Sequence, residues 1–111
     1  GDLHIGNIAK TKDGFLFFDW SDACISHPFV DGTYIFRMEQ SENKQAIVEA
    51  YLSNWLEWAP YEQLLTAWGI AEQVCYGHQA ITYASMIQNL TEEDIKEIEQ
   101  AFLNAFNRLL K

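Results

Sequence analysis

Apolar residues change their spacing once along this chain. Through residues 1–31 they come in short runs between turn formers: Ile8-Ala9-Lys10-Thr11 and Phe15-Leu16-Phe17-Phe18 flank Lys12-Asp13-Gly14. That arrangement predicts a β-hairpin. Beyond it the spacing is helical. From Ser41, the residues Val48, Leu52, Trp55, Leu56 and Ala59 recur at helical intervals, and Pro60 closes that helix or opens the next at its first turn. The following helix carries Leu64, Ala67, Trp68, Ala71, Val74, Cys75, His78 and Ile81 on one stripe, which makes His78 a core-facing histidine with a hydrogen-bonding partner. Gly69 and Gly77 interrupt it at a cost of up to ~1 kcal/mol each relative to Ala. They imply close approach by a neighbour and weaken the case for an unbroken helix. The last helix opens on Thr91 and Asp94, spaced as a capping box, with Glu92 and Glu93 at the positive end of its dipole. Ile95, Ile98, Phe102, Ala105, Phe106 and Leu109 form its expected buried face, and Arg108 and Lys111 suit its C-terminal end. No internal repeat, low-complexity tract or interdomain linker is visible, and the expected fold class is α+β, mostly helical, with one small hairpin at the N-terminal end.

Composition narrows the functional classes. At 111 residues the chain has the length of one domain. Its 49% hydrophobic and 14% aromatic content is that of a folding sequence. With 7 Lys+Arg against 16 Asp+Glu, the net charge of -9 argues against nucleic-acid or anionic-membrane partners and tilts weakly towards a cationic ligand. Half of the acids lie at Glu39, Glu42, Glu49 and positions 92–99, where a solvated helix face is the simpler reading. Cys24 and Cys75 sit in unrelated contexts without a metal-ligand spacing, so reduced, partly buried thiols are expected. No apolar run approaches the ~18 residues of a membrane span and no targeting pattern is read, which makes a cytoplasmic location the expectation.

The candidate chemistry lies in the first segment. A hairpin centred near Asp13 pairs residues whose numbers sum to about 26, so Asn7 is expected to face Asp19. Opposite residues in such a pair lie within ~5.5 Å. An amide oxygen and a carboxylate at that separation suit one hard divalent cation, and Mg²⁺ characteristically takes one or two protein oxygens and completes its shell with phosphates and water. Asp2, five residues before Asn7, is a third acid nearby, free to accept a proton.

The stretches "GDLHIGN", "FFDW" and "HPFVD" together resemble the aminoglycoside phosphotransferase and choline kinase-like family, whose pattern is roughly HGDLHxGN, DW and DPxxDLA. The likeness spans residues 1 to about 33. It implies the helical C-terminal lobe of a protein-kinase-like fold, with residues 1–31 as catalytic loop and metal-binding hairpin and residues 32–111 as a helical subdomain. It further implies that Asp2 orients or deprotonates an acceptor hydroxyl, that Asn7 and Asp19 hold Mg²⁺ on the phosphates of ATP or GTP, and that His4 and Asp31 support the loop. The implied activity is transfer of the γ-phosphate to a hydroxyl of a small molecule such as an aminoglycoside.

Departures from the family pattern qualify single positions. Ile5 stands where many relatives have Pro, Ser21 where an acid is frequent, and His27 and Gly32-Thr33 interrupt the DPxxDLA run that contains Asp31. The His that precedes Gly-Asp in the family would fall before Gly1, as would the phosphate-covering loop and its lysine. The chain is therefore expected to begin mid-domain without its N-terminal lobe, to be inactive alone and to dimerise through the surface so exposed. Competing readings are a degenerate family member that binds without catalysis, and a non-catalytic helical interaction module. Trp20, Trp55, Trp58 and Tyr61 admit a cage for a cationic substrate, although core packing is the better expectation for most of them, with Trp58 the one most exposed.

Overall fold

In a computed structural model, the structure describes residues 3–21 and 23–111, apart from the side chains at positions 93 and 97. Asp2 lies outside the described residues. A 3-10 turn at Ile5–Asn7 leads into β1 (Ile8–Thr11) and β2 (Gly14–Phe17), a two-stranded antiparallel sheet. A second 3-10 turn, Pro28–Gly32, runs directly into α1 (Thr33–Arg37), followed by α2 (Glu42–Ser53), α3 (Tyr61–Ile87) and α4 (Glu92–Leu109). The fold is thus α+β and mostly helical, with its single small sheet near the N-terminal end. No described helix is long and apolar enough to cross a membrane.

The hairpin forms as patterned but one residue out of the expected register. Ile8 pairs with Phe17 and Thr11 with Gly14, so paired numbers sum to 25, not 26. The cause is the turn. Its loop is Lys12-Asp13 alone, because Gly14 joins the ladder opposite Thr11 with φ at 140°, a backbone angle that a side chain would strain. The Thr11 hydroxyl donates to the Gly14 carbonyl at 3.2 Å and ties the closure. Phe15, Leu16, Phe17 and Phe18 are all exposed.

The chain divides into two units, Gly1–Gly69 and Ile70–Lys111. The first is held by an aromatic cluster. Phe29 from the second 3-10 turn, Phe36 from α1, Tyr51 from α2 and Trp68 from α3 meet with ring centroids 4.7 to 5.8 Å apart, largely in tilted or edge-on arrangements. Trp55, half-buried, joins the same cluster at 5.9 Å from Phe29, so it is a packing residue. Trp58 is exposed, as expected. α2 starts where the sequence indicates, with the Ser41 hydroxyl accepting from the Lys44 backbone N–H at 3.2 Å. It stops at Ser53, short of the expected run to Ala59, and Leu56 is exposed in the turns that follow. Pro60 opens α3, its carbonyl accepting from the N–H groups of Gln63 and Leu64. Lys44 was not anticipated as an interior residue. It is buried, and its ammonium donates to the carbonyls of Phe36 and Met38 at 3.3 and 3.2 Å, satisfying the C-terminal end of the short α1.

α3 is unbroken over 27 residues despite its two glycines. The stripe Leu64, Trp68, Ala71 and Cys75 is buried as expected. It then diverges: Tyr76 and Ala80 are the buried positions, while His78 is exposed, and so are Val74 and Ile81. Within the second unit, Arg108 of α4 donates to the Tyr76 hydroxyl at 3.5 Å and lies 5.6 Å from its ring centroid, and that hydroxyl in turn donates to Glu72 at 3.2 Å. Tyr76, and not His78, therefore carries the inward polar contacts of this part of α3. At the start of α4 the Thr91 hydroxyl donates to the Asp94 carboxylate at 2.7 Å and makes no bond to a backbone N–H, so the anticipated capping box is replaced by a side-chain pair. On α4 Ala105 is buried, whereas Phe106, expected inside, is exposed and stacks on Phe102. Cys24 is exposed and Cys75 buried.

The glycines give contrasting expectations. A Cβ at Gly32 would meet the Trp68 ring at 2.6 Å and the Phe36 ring at 2.8 Å, so Gly32→Ala is expected to destabilise by about 1–3 kcal/mol through overpacking. A Cβ at Gly69 meets nothing within 4 Å, which corrects the expectation of a close neighbour there. Gly69→Ala is therefore expected to stabilise by roughly 0.5–1 kcal/mol through helix propensity alone. Chemical denaturation of the two variants reads both signs.

Candidate active site

The loop before β1 is shaped by its own side chains. His4 is extended, and its Nδ1 accepts from the Gly6 N–H at 3.1 Å, while its carbonyl accepts from the Asn7 N–H at 2.9 Å. Those two bonds close the 3-10 turn and deliver Asn7 to a position only 8% exposed. The Nδ1 acceptor role places the ring proton of a neutral His4 on Nε2.

Asn7 and Asp19 emerge from the same open end of the hairpin, though not face to face. The Phe18 N–H donates to the Asn7 carbonyl at 3.1 Å, so Asn7 stands opposite Phe18 and Asp19 comes one residue later. Had β2 continued, that offset would have set the two side chains on opposite faces. The strand ends at Phe17, however, and Asp19 takes φ at 58°, the left-handed region, which ends the alternation. Among the described non-glycine residues no other has a positive φ. Asp and Asn tolerate this region better than most side chains, and such outliers concentrate at functional positions. The Trp20 indole N–H donates to the Phe17 carbonyl at 3.1 Å and the Ala23 N–H to the Trp20 carbonyl at 3.0 Å, holding the reversed chain in place. The Ser21 hydroxyl donates to Asp19 Oδ1 at 2.8 Å. In the sequence Ser21 stands only as a departure from the family pattern; its spacing, two residues after an aspartate at the end of a hairpin, is the signal for this bond.

The donor chemistry suits a hard cation: one amide oxygen and one carboxylate, both oxygen ligands, without sulfur or imidazole. Among the described residues no group of three or more His, Cys, Asp or Glu side chains is placed to hold a metal by itself. A cation here would take most of its shell from phosphate and water.

Asp31 lies in the first turn of the Pro28–Gly32 helix and is exposed. His27 opens that turn, its Nδ1 accepting from the Phe29 N–H at 3.3 Å and its ring meeting Phe29 edge-on at 4.8 Å. An imidazole thus fills the N-cap position where the resembled pattern has Asp. The Tyr51 hydroxyl donates to the Pro28 carbonyl at 3.1 Å and fixes the turn to α2. Burial first, and then the Asp31 charge, push the Tyr51 phenol above its usual value of 10.0, with a contribution from Trp55 in the other direction. A group with a raised folded-state pKa contributes stability that is complete below its unfolded value and lost as pH climbs through the folded one. Stability is accordingly expected to decline above about pH 10, and Tyr51→Phe to decline less steeply in that window when melting is followed against pH.

A model of the phosphotransferase enzyme family matches residues 1–64, which takes in the loop, the hairpin, the second 3-10 turn, α1, α2 and the start of α3. Neither the curated proteins nor the solved structures give a match. The matched segment covers more than half of the chain and contains Asp2, Asn7, Asp19 and Asp31 in order; the chain belongs to the phosphotransferase enzyme family.

Proposed function

We propose that the protein transfers the γ-phosphate of ATP or GTP to a hydroxyl of a small molecule, and that residues 1–111 are its catalytic-loop lobe, a second lobe supplying the grip on the nucleotide. The observation that carries this reading is the shared hairpin end at which Asn7, buried, and Asp19, in a left-handed backbone conformation, are set one residue out of register. Asp2 accepts or orients the acceptor hydroxyl proton, and Asn7 and Asp19 hold Mg²⁺ through oxygen. The cation, when bound, neutralises charge on the transferring phosphoryl oxygens. His4 keeps the loop closed through Gly6 and Asn7, and Asp31, in the second 3-10 turn, is assigned the support of the loop by the family pattern alone. Positioning and charge neutralisation are most of what such a site contributes. The net charge of -9 favours a cationic acceptor among small alcohols, and a cytoplasmic location goes with a nucleotide co-substrate.

The test is a magnesium-dependent nucleotide turnover assay on the full-length gene product across a panel of small alcohols, amino-sugars included. Magnesium-dependent transfer to any of them supports the reading. Nucleotide binding without turnover favours a degenerate member, and absence of both favours a helical interaction module.

A further inference from the structure

We infer that Ser21 is a positioning residue for Asp19: its hydroxyl proton, given to Oδ1 at 2.8 Å, holds the carboxylate so that Oδ2 is presented to a divalent cation. This deepens the proposed phosphoryl transfer and rests on it. Asp19 is exposed, and a lone exposed carboxylate samples several rotamers. The cost of ordering it falls on cation binding unless something orders it beforehand. Ser21 does so with a short hydrogen bond to a charged acceptor, a type about twice as strong as its neutral counterpart.

The backbone makes the reach possible. Left-handed Asp19 and the bonds from the Trp20 indole to Phe17 and from Ala23 to Trp20 fold the chain back within a few residues, which brings the Ser21 hydroxyl, two positions on, to the carboxylate. A serine hydroxyl has one proton, and here it is committed to Oδ1. Ser21 is itself exposed, so its side chain fills no core space and its hydroxyl serves orientation.

The experiment measures Mn²⁺ affinity by electron paramagnetic resonance in the presence of ATP, on the full-length protein and its Ser21→Ala, Ser21→Thr and Asp19→Asn variants, with melting temperatures alongside. Ser21→Ala is expected to weaken Mn²⁺ binding about tenfold, in keeping with the loss of a hydrogen-bonded partner to a metal-holding side chain. Ser21→Thr, which keeps the hydroxyl, is expected to restore it, and neither variant is expected to melt differently. If Asp19→Asn abolishes Mn²⁺ binding while Ser21→Ala binds as the parent does, the role of Ser21 is overturned and the proposed function stands. Should Asp19→Asn leave binding unchanged, both fall together. A drop in melting temperature for Ser21→Ala that accounts for the lost binding would reassign the hydroxyl to stability and overturn the proposal as well.

Discussion

Asp19→Ala in the full-length protein is expected to lower magnesium-dependent phosphoryl transfer by about three orders of magnitude. A cation clamped on the transferring phosphates contributes several kcal/mol of charge stabilisation, and about 4 kcal/mol corresponds to roughly 10³ in rate. Asp19 is the charged member of the proposed ligand pair, and its left-handed backbone conformation carries a conformational cost that the fold sustains. Ala adopts the left-handed region less readily than Asp, so a thermal melt belongs beside the rate measurement. Asp19→Asn, which keeps the shape and the tolerance for φ at 58°, separates the two effects. A parent-like rate in Asp19→Asn would remove the charge of Asp19 from the mechanism. Asp2→Ala is the companion variant. Loss of a general base or hydroxyl-orienting acid costs about 10²–10⁴-fold, and retention of turnover there would leave Asp2 without its assigned part.

Trp68→Ala is expected to cost about 3–5 kcal/mol of stability. Its ring is 5% exposed and contacts Phe36, Tyr51 and Phe29 at centroid distances of 4.7, 5.3 and 5.6 Å. It also lies over Gly32, so the second 3-10 turn, α1, α2 and the first part of α3 all converge on one indole. Small domains have a total stability of about 5–15 kcal/mol, and the loss is therefore a large fraction of the whole. Urea titration of the wild type and the variant gives the difference directly. Trp68→Phe is expected to lie between them, because it keeps an aromatic face while opening a smaller cavity. A cost below about 1 kcal/mol for Trp68→Ala would mean that the aromatic cluster is not what holds the first unit together.

Local chemistry was sufficient wherever a single side chain decides a local structure. Ser41 as the cap of α2, Pro60 at the opening of α3 and the turn at Lys12-Asp13-Gly14 all occur as their residue types require. The family pattern was legible because its residues lie close in sequence, and the match over residues 1–64 extends it into α3. Backbone geometry and tertiary partners set the rest. Whether Gly14 belonged to the loop or the ladder shifted the hairpin by one residue, a choice between turn geometries that the same three residues permit. α3 carries apolar side chains on nearly every side, and a helix of that kind declares no single buried face. Tyr76, buried where His78 is exposed, meets Arg108 from 32 residues away in sequence. Lys44 reads as a surface residue until the orphan carbonyls of Phe36 and Met38 are placed beside it. The sequence by itself determined the order of elements, most helix starts and the residues available for chemistry, because these depend on near neighbours along the chain. The tertiary structure decided the buried faces, because each depends on a group that the sequence alone does not bring near, whereas the hairpin register and the orientation of the Asp19 carboxylate turned on backbone geometries that the same neighbouring residues leave open.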